Sequence, residues 1–319
     1  MHAAVVRAFD SPPRYETFDA PEPGGEHEIA VDVLAAGLHP RVRSGASGSH
    51  YTSTDALPLI PGVDGVGRSA DGELLYFVAF DGAFGTMAER AVVDRRRSVV
   101  LSKDTNVSAV AAAMNPGMSS WMALRKRTPF DAGQKVLVLG ATGSAGQMAV
   151  QITKFLGAGY VAAAGRNAER LAELTSLGAD ETVPLTGEPE EIERALGAAG
   201  ADVDVVIDYV WGSVTELAIP ALVKSRTECS KPLWWVQIGS MAGTTIALPS
   251  AALRAANLQI LGSGQGSLTT AAIVAELPEL AAQITAGAFR IDPAPTPLSD
   301  VESAWNQPIA PGRRIVFTP

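Results

Sequence analysis

The stretch Lys135–Gly146, KVLVLGATGSAG, constrains this chain more than any other. Val136, Leu137, Val138 and Leu139 form a continuous apolar run, the pattern of a parallel strand covered on both faces. Gly140, Ala141, Thr142, Gly143, Ser144, Ala145 and Gly146 follow, with Ala141-x-Gly143-x-x-Gly146 spaced as a dinucleotide fingerprint whose first glycine is alanine. Gly143 lets backbone N–H groups approach a phosphate, and Gly146 lets the next helix pack on the strand. Ala145, Met148, Ala149, Ile152 and Leu156 repeat at helical spacing. The free N–H groups and the dipole of such a helix start favour an anion. A strand, a tight turn and a helix with no ligand is the competing reading. The next strand, Gly159–Ala164, argues for the nucleotide.

That strand ends in Gly165-Arg166-Asn167. An NAD-binding unit carries an acidic residue there, about 20 residues past the glycines, to hold the ribose 2′-hydroxyl. This chain has Arg166 in that place, and a guanidinium pairs bidentately with a 2′-phosphate. The reading is NADPH. A solvated Arg166 with no preference between the cofactors is the alternative.

The turn begins after 134 residues of different character, so 319 residues divide into two domains. The expected fold is α/β: a Rossmann-type doubly wound parallel sheet over 113–264 and a strand-rich catalytic domain from 1–112 and 265–319. Ile29, Val31 and Val33 alternate as a half-buried strand, and Gly85–Val93 reads as another. Residues 108–125 are helical and apolar, with Asn115-Pro116-Gly117 breaking the run. Beyond 135, strand and helix alternate: strands over 135–139, 160–164, 182–185 and 203–208 and near 233–238 and 258–262, helices over 144–156, 168–177 and 189–198. A helical stretch and a last strand, Arg314–Phe317, close the chain.

A net charge of −9 argues against a broad nucleic-acid surface. No apolar run reaches the length of a signal peptide or a membrane span, so a cytoplasmic protein is expected. Cys229 is the single cysteine, which excludes a disulfide framework or a cysteine-rich zinc site. All four histidines, His2, His27, His39 and His50, fall in the first 50 residues without an HExxH pattern, so no metal is expected.

In this order the landmarks resemble the medium-chain dehydrogenase/reductase superfamily, and within it the zinc-free quinone oxidoreductase branch, over nearly the whole chain. EHEIAVDVLAAGLHP is similar to that branch's opening strand and Gly-Val-Asn-Pro loop, with His39 in the Asn position. Pro61-Gly62-Val63-Asp64-Gly65-Val66-Gly67 resembles Pro-Gly-x-Glu-x-x-Gly, with Val63 where zinc-dependent members have a histidine ligand. The resemblance implies a GroES-like catalytic domain, an NADPH cofactor and a homodimer formed through Trp234, Trp235, Ile260 and Leu261. It implies hydride transfer to a quinone or α,β-unsaturated carbonyl, an acceptor that needs no Lewis acid. A protein that binds NADPH as a sensor or structural module is the alternative.

The same resemblance assigns site residues. Ser119 takes the place of a small hydroxyl residue beside the nicotinamide. Gly239-Ser240 resembles the nicotinamide-side turn, and Gly262, Ser263 and Gly264 follow the last strand of the sheet, where glycines allow close approach or a hinge. Tyr209, in DYVWG, lines the cofactor or packs in the core. Arg314 reaches the phosphates or lies on the surface. Tyr51 and then His50 are the candidate proton donors for the developing oxyanion. His39 orients the nicotinamide or caps the Pro40 turn.

Overall fold

The computed structural model describes residues 1–50, 52–79, 82–308 and 312–319. Two compact units result, Met1–Asn115 with Thr270–Pro319, and Pro116–Thr269. In chain order the first unit begins with β1 (His2–Val5), β2 (Arg14–Thr17), β3 (Glu28–Gly37), α1 (Pro40–Ala46), β4 (Asp64–Ser69), β5 (Leu74–Val78), β6 (Arg90–Asp94) and β7 (Ser98–Val100). Helix α2 (Val107–Met122) follows. The second unit then alternates β8 (Lys135–Leu139), α3 (Ser144–Phe155), β9 (Tyr160–Gly165), α4 (Ala168–Leu174), β10 (Glu181–Pro184), α5 (Pro189–Gly200), β11 (Val205–Asp208), α6 (Gly212–Ser225), β12 (Leu233–Gln237), α7 (Ala252–Ala255) and β13 (Leu258–Gly262). The chain returns to the first unit with α8 (Thr270–Thr285), β14 (Asp292–Pro297), α9 (Val301–Ala304) and β15 (Arg313–Thr318).

The second unit is a six-stranded sheet in the order β10-β9-β8-β11-β12-β13, with every pairing parallel. Counted within the unit, this is the 3-2-1-4-5-6 order of the dinucleotide-binding fold, whose strand order reverses between β8 and β11. Helices cover both faces, so Leu137, Leu139, Ala162, Ala164, Val206 and Trp235 are buried together. The first unit carries a seven-stranded sheet, β14-β15-β3-β4-β5-β7 with β6 also on β3, packed around Val31, Leu75 and Phe77.

Three expectations need correction. Asn115-Pro116-Gly117 does not break its helix: α2 runs through Pro116, which removes one main-chain donor but leaves the helix continuous. The helix ends beyond a wide turn over Ala123–Arg127, where the Thr128 hydroxyl donates to the carbonyls of Ala123 and Leu124. The strand expected over Gly85–Val93 starts only at Arg90. Trp235 is fully buried inside its own unit, so it offers nothing to a dimer interface.

Strand β14 is written DPAPTP, a sequence that reads as a loop. It lies at the sheet edge, parallel to β15. Its prolines occupy alternate positions, so all three missing donors fall on the open side and none is owed to β15.

Candidate functional site

The carboxyl end of β8 is built around its glycines. Gly140 turns the chain with φ +84°, and the N–H groups of Gly140 and Ala141 both donate to the Ala164 carbonyl of β9, at 3.0 and 2.8 Å. A Cβ on Gly146 would lie 2.3 Å from the Gly140 carbonyl oxygen, so the first turn of α3 rests directly on this loop. Gly143 caps α3 and is exposed; a Cβ there would find only the Gly140 oxygen, at 3.4 Å. Packing therefore explains Gly146 and leaves Gly143 free for a ligand. The N–H groups of Ser144, Ala145 and Gly146 precede any helical acceptor. The cradle fits a pyrophosphate.

The end of β9 meets the same loop. A Cβ on Gly165 would be 2.4 Å from Thr142 Cγ2, so glycine lets Thr142 sit against the strand. Arg166 is exposed. Asn167 serves the fold, because its Oδ1 accepts the Arg170 N–H at 2.9 Å and caps α4. Arg170 was not anticipated. Its guanidinium turns back to the Thr142 carbonyl, and its buried Nε has no partner. Burial lowers the pKa of this arginine. The available signal was spacing, because Arg166 and Arg170 are four apart across a helix start.

Beyond β11, the expected residues Ser119 and Tyr209 come together. Their hydroxyls are 2.7 Å apart, and Ser119 donates to the Pro116 carbonyl at 2.7 Å, which makes Tyr209 the donor to Ser119. Burial pushes the Tyr209 phenol up to about 12, so it stays protonated at neutral pH. Gly239 packs against Tyr209, for a Cβ there would be 2.6 Å from the Tyr209 carbonyl oxygen, while Ser240 is exposed. Past β13, the Gly262 carbonyl accepts Arg127 Nε at 3.0 Å, the Ser263 N–H donates to the Gln237 carbonyl at 2.8 Å, and the Gly264 N–H donates to Ser267 Oγ at 2.9 Å. A Cβ on Gly262 would meet nothing within 4 Å, so protein packing does not require its glycine.

In the first unit, His39 lies at the N-cap of α1 but makes no side-chain cap, which removes the capping reading. Its Nε2 instead faces Asp64 Oδ1 at 3.0 Å, and Tyr76 donates its hydroxyl to Asp64 Oδ2 at 2.9 Å. All three residues are buried. Burial lowers the His39 pKa against the pull of Asp64, and the cations Arg314 and Arg41 lower it further. Tyr76 is raised well above the usual phenol range by burial and by the Asp64 carboxylate. Arg314 is not on the surface: it is only 7% exposed, its Nη1 has no partner, and burial lowers it to about 10. His50 lines a cavity of about 70 Å³ with Arg41, Ser53, Ile60 and Val63. Thr52 donates its N–H to His50 Nδ1 at 3.2 Å, which leaves the proton of the neutral ring on Nε2. Tyr51 lies outside the described residues.

A parallel sheet in this strand order, a glycine cradle at its reversal point and a separate strand-rich unit define a dinucleotide-binding protein of the two-domain dehydrogenase type. The family described as zinc-binding dehydrogenase matches residues 145–284. The probable NADPH-dependent quinone reductase tdiC of Emericella nidulans is 32% identical over 100% of both chains. The chloroplastic NADPH-dependent alkenal/one oxidoreductase of Arabidopsis thaliana is 28% identical over 55% of this chain and 50% of its own. Among solved structures, the quinone oxidoreductase of Thermus thermophilus, also known in complex with NADPH, superposes with a TM-score of 0.80 at 26% identity over 100% of both chains. The chain belongs to the medium-chain dehydrogenase/reductase superfamily, in its quinone oxidoreductase-like branch.

Proposed function

We propose that this protein is a zinc-independent, NADPH-dependent oxidoreductase acting on a quinone or α,β-unsaturated carbonyl. The observation that carries the proposal is the Gly140–Gly146 cradle with two arginines at its rim, Arg166 and Arg170. When bound, NADPH supplies the hydride. The chain's own groups do the rest. The α3 N-terminus and Gly143 receive the pyrophosphate, and Arg166 and Arg170 hold the 2′-phosphate. The Tyr209–Ser119 pair and the turns at Gly239-Ser240 and Gly262–Gly264 border the remainder of the cofactor. Arg314, buried with an unpartnered Nη1, is a second phosphate ligand. His50 Nε2–H and the Tyr51 phenol are the donors for the oxyanion that forms on the acceptor. His39 is a neutral ring whose Nε2–H donates to Asp64, and it orients the nicotinamide.

Zinc independence rests on the residues themselves. Val63 stands where zinc-dependent members have a histidine, and the single cysteine, Cys229, is exposed in the other unit. Names of relatives support the acceptor class: quinone and alkenal/one reductases recur among them. Among the described residues no helix is long and apolar enough to cross a membrane. We read the protein as a cytoplasmic homodimer.

Steady-state NADPH oxidation against a panel of quinones and enones, before and after exhaustive chelation, tests this reading. Turnover unaffected by chelation is expected. Tight NADPH binding without turnover on any acceptor would overturn the catalytic reading and leave a cofactor-binding sensor.

A further inference from the structure

Asp208 ends β11, and none of its surface is exposed. Its carboxylate is filled by four donors from three elements. Oδ1 accepts the N–H groups of Val210 and Trp211 at 2.8 and 2.9 Å. Oδ2 accepts the Thr215 hydroxyl of α6 at 2.6 Å and Trp235 Nε1 of β12 at 2.9 Å. All four donors are neutral, and Asp208 forms no ion pair among the described residues. A buried charge with no counter-ion persists because these charge-assisted bonds replace its hydration.

The two main-chain bonds act on an unusual segment. Trp211 has φ +51° and ψ −157°, the one positive φ outside glycine among the described residues. Such a conformation persists only where its surroundings impose it, and it concentrates at functional sites. The segment is also wedged. A Cβ on Gly140 would be 2.9 Å from Val210 Cγ1, and a Cβ on Gly212 would be 2.4 Å from the Ala242 carbonyl oxygen. Ala242 donates its N–H to the Val210 carbonyl at 2.7 Å. The loop therefore separates the glycine turn after β8 from the turn after β12, and it carries the Tyr209 phenol to Ser119.

We propose that Asp208 is a positioning residue for the cofactor site: its carboxylate holds Tyr209–Gly212 in the strained form that sets the spacing between those two turns. This inference rests on the NADPH reading of the Gly140–Gly146 cradle. An asparagine could still offer its one oxygen to the two main-chain N–H groups while its NH₂ donates to the Thr215 hydroxyl, whereas an alanine removes both oxygens and leaves the Val210 and Trp211 N–H groups without their acceptor.

The test compares Asp208→Ala with Thr215→Val and Trp235→Phe, which each remove one donor but keep the bonds from Val210 and Trp211. Thermal stability and NADPH affinity, read by fluorescence titration, are measured for all three. All are expected to lose stability. Only Asp208→Ala is expected to lose NADPH affinity, by about tenfold or more, with the others within about threefold of wild type. Asp208→Ala binding like wild type, or equal affinity losses in the two controls, would overturn the proposal. If Asp208→Ala does not fold, amide exchange on the wild-type chain decides. Val210 and Trp211 must then be protected like the β11 amides, and exchange at the rate of an exposed loop would overturn the proposal. A wild-type chain that binds no NADPH would refute the cofactor reading, and the exchange result would still decide whether Asp208 holds the loop.

Discussion

Replacing Gly143 by alanine separates the ligand from the fold. Gly143 has φ −78° and ψ +162°, which alanine adopts without strain. Its Cβ would touch only the Gly140 oxygen, at 3.4 Å, an ordinary contact. The expected structural cost is the weaker N-cap, no more than about 1 kcal/mol. For a unit of this size that lowers the melting temperature by no more than about 4 °C. Yet the methyl would stand over the face of the turn that the pyrophosphate must approach. NADPH affinity should fall at least tenfold, or about 1.4 kcal/mol. Gly146→Val supplies the contrast. Its Cβ would lie 2.3 Å from the Gly140 oxygen and 2.5 Å from Ala141 Cα, so the start of α3 must move by about 1 Å. Overpacking of this kind costs about 3 kcal/mol, a drop of roughly 6–12 °C. Affinity and stability should fall together in that variant. The assays are a thermal melt and a fluorescence titration with NADPH. Gly143→Ala binding NADPH as wild type does would refute the cradle. Gly143→Ala melting as low as Gly146→Val would refute the packing argument.

Arg166→Ala should weaken NADPH by roughly 10–100-fold and NADH by less than about threefold, since each charge-assisted bond to the 2′-phosphate is worth about 1.5–3 kcal/mol; equal losses for the two cofactors would remove the assigned role. Arg170→Ala should weaken NADPH similarly and NADH somewhat, because it also loses its bond to the Thr142 carbonyl. His39 carries a depressed pKa caused first by burial, so its contribution to stability is complete above the unfolded value near 6.5 and is lost as pH falls through the folded value. Urea melts between pH 8 and 5 should show that loss, and His39→Gln should flatten it; an unchanged slope would place the titration elsewhere. Tyr209 has the opposite sign. Its folded pKa of about 12 against about 10 unfolded means stability held below pH 10 and roughly 3 kcal/mol lost by pH 12, which Tyr209→Phe should abolish in alkaline denaturation curves.

Much of this was legible wherever local sequence and tertiary role agree. The run Val136–Leu139 is apolar because both faces of β8 are covered, and the turn after it needs its glycines for reasons that act over six residues. The order of strand and helix from 135 onward follows from the same local regularity. Legibility failed where the deciding partner is remote. Pro116 reads as a helix breaker because local sequence does not reveal that α2 continues around it. DPAPTP reads as a loop because its strand character comes from pairing with β15, about 20 residues on.

The buried carboxylates carry the argument further. Asp64 and Asp208 look like ordinary charged residues after short apolar stretches, and nothing near them in sequence marks them as interior. Asp64 finds His39 25 residues before it and Tyr76 12 residues after it, and Asp208 finds Trp235 27 residues later. A charge enters an apolar interior only when several donors converge on it, and convergence belongs to the fold, not to any window of sequence. Motifs therefore exposed the parts of this site that touch the ligand through backbone, the glycines above all. The side chains that hold those parts in place became visible only once the strands were paired. The two groups fail differently under substitution. Loss of a glycine puts atoms where a ligand or a helix must go, whereas loss of a carboxylate strands donors that the folded chain has nowhere else to satisfy.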